Sequence, residues 1–149
     1  MCGSIDGNWY WNDDGTVDYE ATTKIDKQTL LLAAQELKRT NDTIYWNIWL
    51  TLANKRSQRT RNEELLKSTG LNPFVTYKAA LRLLNKVEQE VQWEYPDLNH
   101  QIVVNWIDNR RRDAYAKVLT KRGYRFGRYE GRKCLFKTFK KGEIYASEW

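Results

Sequence analysis

The sequence predicts an α+β protein, mainly helical, with a small β-hairpin near each end. Three observations carry that expectation. Apolar residues recur at helical spacing through much of 26–95, helix start and stop signals cluster around 60–73, and alternating segments flank turn residues at 8–22 and 124–139. At 149 residues the chain reads as one domain, large enough to bury a core. Its parts are an acidic aromatic hairpin (1–24), a helical core with a helix-turn-helix (25–95) and a basic helix plus β-hairpin (99–141).

Residues 8–22, NWYWNDDGTVDYEAT, place an aromatic arm and a Thr/Val/Tyr arm around Asp13-Asp14-Gly15. Asp26 suits the N-cap of a helix through Leu30, Leu31, Ala34 and Leu37, and Ile25 with Leu30 has the spacing of a hydrophobic staple. Asp42 would cap a second helix, whose Ile44, Tyr45, Ile48, Trp49 and Leu52 make a broad apolar face. A polar basic loop, KRSQRTR (55–61), follows.

Thr60 and Glu63 then have capping-box spacing, and Gly70 can take the left-handed conformation that ends a helix. Asn72 suits an N-cap, and Pro73 suits the first helical position, where a missing amide proton costs nothing. The second helix runs to Trp93 or Tyr95, before Pro96. Tyr77, Ala80, Leu81, Leu84, Val87 and Val91 share one side of it, and Lys78, Arg82, Asn85, Lys86 and Gln89 the other, with Glu88 at the edge.

QIVVNWI (101–107) predicts a short strand or extended lead-in, then Asp108 capping a helix from Asn109 to about Arg122, ended by Gly123. Residues 124–139 predict a β-hairpin turning at Glu130-Gly131, with Cys134 facing the core. His100 is expected at the surface near the start of a helix or strand.

The net charge is +6, unevenly spread. Residues 1–26 hold Lys24 against six carboxylates, whereas 108–141 hold thirteen basic residues against Asp108, Asp113 and Glu130. A basic body suits a polyanionic partner, and Arg suits phosphate through its planar two-donor fork. Seven Trp and nine Tyr supply large core side chains, or surfaces that stack on bases or anchor a protein.

Cys2 and Cys134 imply no disulfide framework, which fits a reducing cytoplasm. A leader pattern and a bilayer-length apolar run are both absent, so no membrane partner is expected. One histidine and no CxxC argue against structural zinc, and no metal, cofactor or catalytic residue is expected.

Residues 43–87 resemble the three-helix part of winged helix-turn-helix proteins, in the order Ile44–Leu52 helix, basic loop, EELLKSTGL and YKAALRLLNKV. The resemblance implies that the last helix enters the DNA major groove, with Lys78, Arg82, Asn85 and Lys86 probing it. Lys55, Arg56, Arg59, Arg110, Arg111, Arg112, Arg125, Arg128, Arg132 and Lys133 would contact nucleic acid as phosphate neutralisers. Phe74 and Val75 replace the small polar residues usual at that helix start, and 88–107 intervenes before any wing.

A second resemblance lies in RRRDAYAKVLTKRGYRF (110–126) and the hairpin after it, which is similar to the last helix and strands of GNAT-type acetyltransferases. It implies acetyl-CoA, with its pyrophosphate held by a Gly-rich turn at a helix N-terminus; no glycines surround Arg110–Arg112.

The leading expectation is therefore a non-enzymatic DNA-binding protein, a regulator or replication factor of a virus or mobile element. Double-stranded DNA is favoured, with single-stranded DNA or RNA as alternatives. The runner-up is an interaction protein or inhibitor that grips a host protein through Trp9, Trp11 and other aromatic or Arg surfaces. A GNAT-like acyltransferase is the third reading.

Overall fold

The computed structural model describes residues 4–25, 27–53, 73–105 and 109–142. Its organising element is a seven-stranded mixed sheet of order β1-β2-β3-β4-β5-β7-β6. The N-terminal hairpin is present: β1 (Asp6–Trp11) pairs antiparallel with β2 (Val17–Ile25), from Asp6–Thr22 to Trp11–Val17. Its turn is closed by Asp14, whose carboxylate accepts from the Thr16 amide (2.9 Å) and hydroxyl (2.6 Å).

The expected mainly helical core is overturned from this point on. The helices predicted over 26–37 and 42–52 are the strands β3 (Gln28–Arg39) and β4 (Thr43–Ala53). Leu30, Leu32 and Ala34 enter the main core from one face of β3, while Leu31 and Ala33 are buried on the other. A strand buried on both sides loses its apolar–polar alternation and reads as a continuous apolar run. Asp42 caps no helix; its carboxylate accepts from the Thr40 and Thr43 hydroxyls (both 3.0 Å) and fastens the β3–β4 turn.

The winged-helix resemblance over 43–87 implies a helix where residues 43–53 form a strand. The predicted helix at 60–70 lies outside the described residues. The second helix is present as α1 (Pro73–Glu94) and begins at Pro73. It is the crossover between β4 and β5 (Asn99–Val104), which pair in parallel. A parallel pair needs such a crossover, and here a helix supplies it.

After β5 come α2 (Asn109–Leu119) and a 3-10 turn, Thr120–Arg122, closed by Gly123 at φ 93°. The C-terminal hairpin is present as β6 (Arg125–Tyr129) and β7 (Arg132–Phe139). Glu130 (φ 49°) and Gly131 (φ 82°) both lie in the left-handed region, as a type I′ turn requires. β7 also pairs with β5, which joins the hairpin to the sheet.

Both helices lie against one face of the sheet. Ala79, Leu83, Val87 and Val91 of α1 meet Tyr19, Leu32, Ile44 and Trp46, and Tyr115 and Leu119 of α2 extend the same core. Cys134 is buried on the opposite face, cross-strand from Gly127, inward as expected.

Candidate functional site

The parallel pair β4–β5 does not run the length of β4. Its rungs extend from Thr43–Asn99 to Asn47–Val103, after which β4 continues to Ala53 while β5 ends at Val104. β5 ends one residue after the last rung, so the last six residues of β4 run on without β5 beside them. Just past the last rung the Asn105 side-chain amide donates to the Asn47 side-chain oxygen (2.7 Å) and ties the end of β5 to β4. Ligand sites in open sheets with helical crossovers gather at the carboxyl ends of parallel strands, where neighbouring connections separate.

A cavity of about 80 Å³ lies at that place. Ile48 and Leu50 of β4 and Val104 of β5 line it from the sheet. Tyr77, Ala80 and Leu81 line it from α1, and Ala114, Tyr115 and Val118 from α2. Its wall is mostly hydrocarbon, and the phenols of Tyr77 and Tyr115 and the Asn105 amide are its polar side-chain groups. Ala80 and Ala114 leave room that larger side chains would fill. The enclosed volume is small beside the about 300–1,000 Å³ of sites for drug-sized ligands.

Two buried polar contacts hold the frame behind this cleft. His100, expected at the surface, is 1% exposed. Trp46 Nε1 donates to His100 Nδ1 (3.1 Å), so the proton sits on Nε2, which donates to the Tyr95 carbonyl (2.9 Å). Burial lowers the imidazole's pKa, and Arg39 lowers it further against the opposing effect of the Tyr95 carbonyl. On the other side of α1, the Tyr124 hydroxyl donates to Glu88 (2.8 Å), so a carboxylate at the edge of the predicted polar arc is in fact inside. Burial, then the Glu88 charge, pushes the Tyr124 phenol well above its ordinary value.

The residues expected to read DNA are scattered. Lys78 and Arg82 are exposed on α1, but the Asn85 side-chain oxygen accepts from the Arg122 guanidinium, and Lys86 pairs with Glu90 (2.9 Å). Lys55, Arg56 and Arg59 lie outside the described residues, as do the side chains of Arg110 and Arg111. Arg112 pairs with Asp113 (3.0 Å). Arg125, Arg128, Arg132 and Lys133 are exposed on the hairpin, where Arg128 and Lys133 sit directly opposite each other.

Sequence reasoning missed the cleft. Its elements were partly visible, because the 101–107 alternation, the α1 apolar side and the helix after Asn109 were all read; their convergence depends on β4 being a strand. No family model, curated protein or solved structure matches the chain. Among the described residues no helix is long and apolar enough to cross a membrane, and no group of three or more His, Cys, Asp or Glu side chains could hold a metal ion.

Proposed function

We propose that the protein binds an acyl-coenzyme A thioester in the cleft at the carboxyl end of β5, where β4 runs on past it, and that it is an acyltransferase similar to the GNAT type. The observation that carries this reading is the sheet itself: seven strands in the order β1-β2-β3-β4-β5-β7-β6, with β4–β5 the one parallel pair among the described residues and a helix crossing between them. The residues that carry the GNAT resemblance, 110–126 and the hairpin after them, form α2, the turn that follows it and β6–β7. The cleft suits such a ligand on chemical grounds. A pantetheine arm is slender and largely apolar, with two amides that can pair with a strand edge, and β4 extends six residues past its last rung with β5. The net charge of +6 favours approach of the ligand's phosphates.

When bound, the thioester supplies an activated acyl group for a nucleophile such as an amine. The chain's part is to hold the arm between α1 and α2, exclude water with Ile48, Leu81 and Val118, and deliver a proton to the departing sulfur. Tyr115 is the candidate donor, because it lines the cleft and a neutral phenol can give a proton to a thiolate. Asn105, fixed by Asn47, is positioned to orient a polar group at the carboxyl end of β5.

The test is release of free coenzyme A thiol from acetyl-CoA in the presence of primary-amine acceptors. Tyr115→Phe is expected to lower kcat by roughly 10²-fold or more while leaving KM for acetyl-CoA within about twofold. An unchanged kcat in the variant sinks the assignment of Tyr115. Absence of thiol release with every acceptor counts against the transferase reading.

The winged-helix reading is not retained, because the strand at 43–53 stands where the first of its three helices was expected. The exposed Arg125, Arg128, Arg132 and Lys133 of the hairpin support a polyanion partner as a separate reading.

A further inference from the structure

The β6–β7 hairpin carries a feature that the acyl-thioester reading does not use. Phe126 pairs across the hairpin with Leu135, and Arg128 with Lys133. Directly opposed residues project from the same face, so Phe126, Arg128 and Lys133 share one surface, the side on which α2 lies. Together with Arg112 and Asp113 they line an open groove of about 570 Å³.

Two independent properties of this groove point to its occupant. Like charges placed directly opposite across a hairpin repel, and among the described residues no carboxylate pairs with Arg128 or Lys133. The Arg128 guanidinium spends one donor on the Gly131 carbonyl (3.1 Å), which orients the fork and leaves its other N–H groups for a ligand. An anion between the two cations would relieve the repulsion. Phe126, meanwhile, is 55% exposed at the same groove, an aromatic face next to paired cations.

Phosphate charge and a flat π-face at adjacent positions are the two halves of a nucleotide. Successive aromatic and cationic positions along a strand are how proteins hold single strands without reading sequence. A duplex hides its base faces and would leave Phe126 unused. An acidic peptide would satisfy the cations but not the ring.

We propose that this face of the β6–β7 hairpin binds single-stranded nucleic acid, with a base stacked on Phe126 and phosphates held by Arg128 and Lys133. The proposal is independent of the acyl-thioester cleft, since the two sites share no lining residue.

The test is fluorescence anisotropy with a labelled oligothymidylate of about 12 nucleotides, against an abasic strand of equal charge and a duplex of equal length. Arg128→Gln/Lys133→Gln is expected to weaken oligothymidylate binding at least about tenfold and to reduce the salt slope by about 1.4, the value for two phosphate contacts on a single strand. A Lys121→Gln/Lys140→Gln control, equal in charge loss at two exposed positions, is expected to stay within about twofold. Phe126→Leu is expected to cost oligothymidylate about five- to tenfold and the abasic strand nothing. Circular dichroism of each variant keeps the comparison among folded proteins. Equal affinity for the oligothymidylate and the abasic strand, preference for the duplex, or equal losses in the two charge variants would overturn the proposal.

Discussion

Individual side chains decide which faces of this protein are inside, and His100 is the clearest case. It falls in phase with Ile102 and Val104, two and four residues later, so period-2 alternation puts all three on one face of β5. That signal was in the sequence; the polarity of imidazole masked it, because a lone histidine reads as surface unless a partner is visible. The partner, Trp46, lies 54 residues away in a segment that reads as helix. Since burial holds the folded imidazole below its ordinary pKa, the unfolded chain binds a proton more readily around pH 6.5. Stability from this residue is therefore full above that pH and declines as pH falls through 6.5 toward the folded value. As the chain has one histidine, its imidazole NMR resonances can be titrated without assignment. The account predicts a midpoint below 6.5, and a midpoint at or above it would mean that the ring is solvated.

At the level of elements, legibility followed the balance between local and distant forces. Helix α1 was readable because its signals are local: Pro73 at the first turn, an apolar stripe, and Pro96 beyond its end. The terminal hairpins were readable because Gly15 and Glu130-Gly131 announce their turns. β3 was not, since TLLLAA serves two buried faces and is built of Leu and Ala, which favour helices. β4 was closer to legible. In TIYWNIWLTLA the inward Ile44, Trp46 and Ile48 alternate with Tyr45, Asn47 and Trp49, and the segment is rich in aromatic and β-branched residues. Its tally of apolar residues fits a helix equally well, and length alone does not separate the two. The role of α1 as a packed crossover has a direct consequence. Leu83→Ala is expected to cost about 2–5 kcal/mol in urea unfolding, and Arg82→Ala to stay within about 0.5 kcal/mol. A large loss at Arg82, or a negligible one at Leu83, would mean that α1 presents a different face to the sheet.

Across the whole molecule, the proposed function depends on a feature of topology that no single segment contains. Among the described residues one parallel pair interrupts an otherwise antiparallel sheet, and β4 runs on past the end of β5 just where α1 and α2 flank it. The Asn105–Asn47 bond, the alanines of the two helices and Tyr115 gain meaning only through that convergence. They come from three separate stretches of chain, so sequence periodicity finds the elements without finding the cleft. The basic hairpin was legible as charge, but its pairing of Arg128 with Lys133 beside Phe126 needed the register. The measurement that tests the central claim most directly is calorimetric titration of the protein with acetyl-CoA, run beside Ala80→Trp, which fills the cleft between the helices. The account predicts saturable binding to the wild type, with a Kd on the order of micromolar, and at least about tenfold weaker binding to a variant that remains folded. No binding by the wild type at about 1 mM ligand, or equal affinity in Ala80→Trp, would contradict it.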